Sequence, residues 1–271
     1  MKKLGIIAAN GGLSKKLINF TKDDFDIFVV AIKGEADTSV LEGINHVWIN
    51  IGEIGKAIDA LNLANIKDIV FVGSLKKPDI FSLKVDAVGA KLLAKITKDK
   101  LFGDNKLLSS VTEFLSNYGF NIVGVQDILK DLVVESGNFT ISHPSKKDLD
   151  DIELAIEVVK QLGNLDIGQG AIVQDKVVLG VEAVEGTDRL IERCGKLKIT
   201  TNYSGVLVKC AKPDQELRMD LPTIGIDTVK KMHEAGFKGI VIEARKSIFL
   251  DQIEVVEYAN KYDMFISAIY I

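Results

Sequence analysis

Short apolar runs separated by amphipathic helical stretches constrain this chain most. Residues 4–9 (LGIIAA) form such a run, followed by Asn10-Gly11-Gly12 and by residues 13–18 with the composition of a helix start. The pattern recurs at residues 25–32 (FDIFVVAI), 68–73 (DIVFVG) and 120–125 (FNIVGV). Helical spacing fills the intervals at 52–64, where Ile54, Ile58 and Leu61 share a face, and at 86–97 and 105–117. Strand, helix, strand in this rhythm predicts a Rossmann-like parallel sheet with helices on its faces.

A turn-rich stretch follows, with Glu135-Ser136-Gly137-Asn138 and Ser142-His143-Pro144-Ser145. The expected division is a nucleotide-binding domain over 1–132, a linker over 133–148 and a second α/β domain over 149–271. Ser145, with Asp148 three residues on, has the form of a capping box at a helix expected to be the first element of that second domain. Strands are expected at 171–173, 176–181, 205–209, 239–243 and 264–268. Helices are expected near 188–197, 225–236 and 251–262.

A chain of 271 residues with a net charge of −4 is not built as a general nucleic-acid binder. Its two cysteines, Cys194 and Cys210, form no CxxC, and its three histidines do not cluster. A zinc site, a disulfide scaffold and a Ser-His-Asp triad therefore lack support. The start MKKLGIIAAN imitates a signal peptide, but its apolar run stops at the glycine turn and reads as the first strand. No run of eighteen apolar residues suggests a membrane span. Trp48, beside Val47 and Ile49, reads as core.

In parallel α/β sheets, ligands bind beyond the carboxyl ends of the strands. Three glycine-bearing loops follow strands: Asn10-Gly11-Gly12, Lys33-Gly34-Glu35-Ala36-Asp37, and Gly73-Ser74-Leu75-Lys76-Lys77-Pro78. They should share one rim. Gly11, Gly12, Gly34, Glu35, Asp37 and Gly73 are the candidate binding residues there. The full G-x-G-x-x-G fingerprint and the P-loop are both absent.

The densest chemistry lies between Gln174 and Asp220. Asp175, Glu182, Glu185 and Asp188 come first, then Lys209, Lys212 and Arg218, then Asp220 in DLPTIG. Carboxylate oxygens suit a hard cation such as Mg²⁺, and lysines suit a phosphate. Glu182 lies inside an apolar strand, where a carboxylate is costly unless paired or metal-bound. Glu182, Glu185 and Asp188 would converge if the turn after that strand is tight. Thr187 or Asp188 equally suits the N-cap of a helix beginning near 189. Lys209 and Lys212 either grip phosphate, pair with Glu182 and Glu185, or protect an exposed sheet edge. Asp220 precedes a rigid Leu-Pro turn, where it could ligate a metal or bond its own backbone.

The motifs Gly5-Ile6-Ile7-Ala8, Lys33-Gly34-Glu35-Ala36-Asp37, Gly52-x-x-Gly55, Gly103-Asp104-x-x-Leu107-Leu108, Glu182-Ala183-Val184-Glu185-Gly186-Thr187-Asp188, Val206-Leu207-Val208-Lys209 and Asp220-Leu221-Pro222-Thr223-Ile224-Gly225 run through the chain in order. Together they resemble the LpxI family of UDP-2,3-diacylglucosamine pyrophosphatases of lipid A biosynthesis. The resemblance implies a two-domain enzyme that uses Mg²⁺ or another divalent cation. It would cleave UDP-2,3-diacylglucosamine to UMP and 2,3-diacylglucosamine 1-phosphate, lipid X. It would work in the cytoplasm, transiently at the inner face of the inner membrane of a Gram-negative bacterium. The resemblance implies catalytic roles for Asp220, Lys209 and Glu185, metal ligation by Asp220, Glu182 and Asp188, and nucleotide binding by the amino-terminal loops. Asn10, Lys33, Lys77 and Asn105 depart from the usual pattern. The rival readings are a nicotinamide-dependent oxidoreductase, weakened by the missing fingerprint, and a non-catalytic nucleotide-sugar or lipid binder. The sequence leaves the oligomeric state open, a homodimer included.

Overall fold

The computed structural model of the protein describes residues 1–75, 83–98 and 103–271. The chain divides into two compact units. One comprises residues 1–130 with the short segment 216–220, the other residues 131–215 with 221–271. Residues 133–148, linker-like in composition, fall within the second unit.

The first unit is built from β1 (Lys2–Ala8), α1 (Gly12–Thr21), β2 (Phe25–Ile32), β3 (His46–Ile49), α2 (Ile54–Leu63), β4 (Asp68–Val72), α3 (Ala87–Lys98), α4 (Asp104–Asn117), β5 (Asn121–Val123) and the single turn α5 (Val125–Ile128). Its sheet is parallel, in the order β3-β2-β1-β4-β5. The chain leaves β1 in one direction and returns to β4 on its other side. The strand order therefore reverses between β1 and β4, where such sheets leave a crevice at their carboxyl ends. Strands β1, β2 and β4 carry near-continuous apolar runs because both faces of the sheet are covered. β3 was not expected from the sequence. It is a four-residue edge strand on which Trp48 is only half-buried and meets His46 edge-on, so Trp48 is not core.

Asp86 ties two helices of this unit together. Its carboxylate accepts the backbone N–H of Gly89 (2.7 Å), in the first turn of α3, and of Lys56 (3.2 Å), in the first turn of α2. Burial pushes this carboxyl up, but backbone N–H groups of Gly89, Lys56, Gly55 and Val88 outweigh it and hold it below its ordinary value. Asp86→Ala is expected to lower stability by about 1–2 kcal/mol in urea denaturation, the usual effect of losing a helix cap. The depressed pKa fixes the sign of the pH dependence. The contribution is present at neutral pH and disappears as the pH falls through the folded-state pKa, so mutant and parent should converge in acid.

The second unit follows as β6 (Gly137–Asn138), α6 (Lys146–Asn164), β7 (Gly170–Gln174), β8 (Val177–Val181), α7 (Gly186–Gly195), β9 (Val206–Lys209), β10 (Thr223–Ile224), α8 (Ile226–Glu234), β11 (Gly239–Glu243), β12 (Ile248–Phe249), α9 (Gln252–Lys261) and β13 (Phe265–Ile269). Its main sheet runs β6-β13-β11-β9-β7-β8, and β10 pairs with β12 in a separate ribbon. Strands β8, β9, β11 and β13 share one direction, with β7 and β6 opposed. The carboxyl ends of β8, β9 and β11 thus lie on one rim. Phe237, Phe249, Ile240 and Ile266 fill the core beneath it.

Ser145 caps α6 as expected. Its Oγ accepts from the Asp148 N–H, while the Asp148 carboxylate accepts from the Ser145 N–H (2.8 Å). Strand β6 precedes this helix, so α6 is not the first element of the unit. Asp175 and Lys176 form the two-residue turn of the β7–β8 hairpin, both with positive φ (56° and 60°), as a type I′ turn requires.

Candidate active site

The strand-end rim of the second unit gathers Glu182, Lys209 and Glu243. Glu182 directly follows β8, Lys209 ends β9 and Glu243 ends β11, and all three are buried. β9 is an interior strand between β11 and β7, so Lys209 does not guard an exposed edge. Its ammonium donates to Thr187 Oγ1 (2.9 Å) and to the Thr223 carbonyl (3.3 Å). Thr187 in turn donates to Glu182 Oε1 (2.7 Å). One lysine thereby joins the EAVEGTD and DLPTIG motifs through a hydroxyl and a main-chain carbonyl.

Glu182 Oε2 is buried and has no hydrogen-bond partner among the described residues. It faces Gly170 on β7, where a Cβ atom would stand 2.8 Å from this oxygen. A glycine is therefore what lets the carboxylate lie against the strand. Glu243 is engaged instead, accepting from the Ala211 N–H (2.9 Å) and pairing with Lys246 (2.7 Å).

The three carboxylates of EAVEGTD do not converge. α7 begins at Gly186, with Glu185 at its N-cap position and no side-chain cap. This is three residues earlier than the cap preferences of Thr187 and Asp188 indicate, and neither residue serves as the cap. Glu185 and Asp188 are wound onto the helix, while Glu182 stays at the strand end. Glu185 pairs with Arg193 (2.7 Å), and the hydrogen bond from that guanidinium holds its carboxyl below the ordinary range. Asp188 pairs with Lys231 (2.7 Å), joining α7 to α8, and this hydrogen bond raises the lysine pKa. Asp175 sits at the hairpin turn, at the opposite end of β8 from Glu182, and pairs with Lys147. Lys212 is held by Asp166 (2.7 Å). Burial pushes the Cys210 thiol up to about 12, so this cysteine is no nucleophile.

Asp220 belongs to the segment Glu216–Asp220, which folds with the first unit. The Glu216 N–H donates to Asn105 Oδ1 on α4 (2.7 Å), and Thr112 Oγ1 donates to Met219 Sδ (2.8 Å). Arg218 grips Glu216 with two bonds of 2.7 Å, and those bonds lower the Glu216 pKa.

In the first unit the glycine loops share a rim, as the parallel pairing of β1, β2 and β4 requires. Asn10 and Ser74 bridge through backbone bonds (2.7 and 3.2 Å), drawing the β1 and β4 loops together. Gly73 permits this approach. Its φ is +95°, and a Cβ there would stand 2.6 Å from the Asn10 carbonyl oxygen. Gly11, Gly12 and Gly34 face open space, and α1 starts without a side-chain cap or an acidic residue in its first turn. Asp37 caps a 3₁₀ turn by accepting from the Ser39 N–H (2.9 Å), while Glu35 is half-buried beside it. Lys76, Lys77 and Pro78, expected on this rim, lie outside the described residues.

Among the described residues, no three His, Cys, Asp or Glu side chains come together to hold a metal. Mg²⁺ usually takes only one or two carboxylates, with water and substrate phosphates supplying the rest. Among the described residues, the unpartnered Glu182 Oε2 fits such a role. Asp188 and Glu185 are occupied by cations. Sequence reasoning missed Thr187 and Thr223 as structural parts of this site. Their signal was adjacency to Glu182 and Asp220 within two motifs.

A Rossmann-like amino-terminal sheet and a charged strand-end site in a second α/β unit define a class of two-domain α/β proteins. Within that class, residues 3–132 match the LpxI N-terminal domain and residues 135–267 match the LpxI C-terminal domain. A UDP-2,3-diacylglucosamine pyrophosphatase LpxI from Caulobacter vibrioides is 35% identical over 272 residues, covering 98% of this chain and 97% of the relative. The chain belongs to the LpxI family. A putative oxidoreductase from Escherichia coli K-12 is 20% identical over 37% of this chain and 53% of its own, with a TM-score of 0.22. A likeness at that level has no bearing on fold or activity.

Proposed function

We propose that this protein hydrolyses UDP-2,3-diacylglucosamine to UMP and 2,3-diacylglucosamine 1-phosphate in lipid A biosynthesis. The near full-length identity to a relative bearing that activity in its name carries the reading. The buried Lys209 supports it chemically, since an anhydride carries negative charge that repels a nucleophile. Water adds across one P–O–P bond, one phosphate keeps its bridging oxygen, and two phosphate monoesters leave. Lys209 neutralises a phosphoryl oxygen. Asp220 accepts the proton of the attacking water, and Glu182 would hold Mg²⁺. When bound, the cation would neutralise charge on the pyrophosphate.

The open glycines Gly11, Gly12 and Gly34, beside the uncapped α1, suit the nucleotide phosphates, because free helix N–H groups favour anions. The exposed Leu165, Ile167 and Val184 flank the Glu182 turn and suit apolar acyl chains at a membrane surface. No described helix is long and apolar enough to cross a membrane. The reading places the protein in the cytoplasm, docking transiently on the inner membrane.

The test is incubation of purified protein with UDP-2,3-diacylglucosamine, with Mg²⁺ or with excess chelator. UMP and lipid X should appear in equal amounts with the cation, and their formation should fall by at least about 10²-fold with chelator. Intact substrate in both tubes, from folded protein, would sink the pyrophosphatase reading. Equal turnover in both would sink the metal requirement alone.

A further inference from the structure

Lys209 and Glu182 are both buried, yet they do not meet directly. Thr187 stands between them, 2.9 Å from the ammonium and 2.7 Å from the carboxylate. An ammonium can only donate and an ionised carboxylate can only accept. The Thr187 hydroxyl therefore has one orientation, accepting from Lys209 and donating to Glu182. α7 has no side-chain cap, so the hydroxyl is not drawn into capping its own helix.

We infer that Thr187 is a positioning residue for Lys209 in pyrophosphate cleavage, an inference that rests on the activity proposed above. Two of the three ammonium protons are directed, to Thr187 and to the Thr223 carbonyl. The third remains for a phosphoryl oxygen. A lysine chain is long and flexible, and next to a buried carboxylate it would otherwise form a contact ion pair. Thr187 keeps the charges one hydroxyl apart. The ammonium then stays aimed beside DLPTIG and retains its field for the substrate. A direct Lys209–Glu182 pair would turn the donor away and cancel that field.

Thr187→Val keeps the shape and removes both bonds. Its kcat is expected to fall about 10²-fold, the scale of loss from misplacing a catalytic group by roughly 1 Å. KM should change by less than about threefold, because the group acts on charge developing in the transition state. Thr187→Ser restores the hydroxyl and should return kcat to within about threefold of the parent. Thr187→Ala, less demanding on packing, should be impaired like the valine variant and serves if valine does not fold. A substrate-free measurement accompanies these. The Lys209 ammonium protons, followed by nitrogen-15 NMR, should exchange slowly in the parent and at least tenfold faster in Thr187→Val or Thr187→Ala.

A folded valine or alanine variant with parental kcat overturns the inference. So does a serine variant as impaired as valine, since packing rather than the hydroxyl would then matter. Unchanged ammonium exchange overturns it independently of turnover. A parent protein that never cleaves the substrate refutes the activity instead, while the exchange experiment still decides whether Thr187 holds Lys209.

Discussion

Asp220→Ala is expected to abolish turnover, with kcat falling by about 10³-fold or more while the fold survives. The magnitude is that of removing a general base, the role proposed for it, and it corresponds to about 4 kcal/mol of transition-state stabilisation. The structure separates the two effects. The segment 216–220 is anchored by groups that the substitution leaves in place. These are the Glu216 N–H on Asn105, Met219 half-buried against the core of the first unit and held by Thr112, and the Asp220 N–H on the Glu216 carbonyl (3.1 Å). Leu221-Pro222 then restricts the chain leaving the segment. The melting temperature should therefore shift by only a few degrees. Asp220→Asn is the sharper comparison, because it keeps the shape and loses the charge, and it should be almost as inactive. Product formation within tenfold of the parent in either variant would remove Asp220 from the reaction. A large drop in melting temperature would make the residue structural instead.

Asp220 illustrates what the sequence showed and what it concealed. DLPTIG stood out because a carboxylate before a rigid Leu-Pro turn is held in place by local chemistry. The assignment of Asp220 to the first unit could not be read, because the anchors of its segment, Asn105 and Thr112, lie more than a hundred residues away. The same distinction runs through the fold. β2 and β11 were evident as apolar runs whose bounds the structure reproduces, since burial on both faces leaves few polar residues. β6, β10 and β12 are two residues long and exist only through remote partners, so no periodicity announces them. His46–Ile49 of β3 is short and half-exposed, and it carries neither strict alternation nor a continuous apolar run.

The acidic motif failed for a related reason. Cap preference pointed to Thr187 or Asp188, but that preference assumes the hydroxyl or carboxylate has no better partner. Thr187 has Glu182 and Lys209, and Asp188 has Lys231. Tertiary bonds to charged groups outweigh a local cap, being roughly twice as strong as neutral hydrogen bonds. Helix α7 consequently starts at Gly186, where φ is +78°, and the carboxylates separate. Glu182 instead lies just past the end of β8, buried and bonded through Thr187.

Lys209→Met should lower stability and activity together, and a second substitution should divide them. Lys209 is 7% exposed and Glu182 6%. Removing the ammonium leaves a buried carboxylate with one hydroxyl donor and no cation, a class of change that costs about 3–5 kcal/mol. The intervening hydroxyl places the expectation near the lower end of that range. The Thr223 carbonyl also loses its donor, loosening the turn after Asp220. Turnover should fall by about 10²–10³-fold, as when a transition-state donor is removed. Glu182→Gln in the Lys209→Met background then removes the stranded charge. Stability should recover by at least about 1 kcal/mol relative to additivity, the mark of coupled groups. Turnover should not recover, because the ammonium proposed to meet the phosphoryl oxygen is still absent. Additive stabilities would mean that Thr187 insulates the two charges completely. Recovery of turnover in the double variant would mean that Lys209 serves only to neutralise Glu182, and the phosphate would have to be met by another cation.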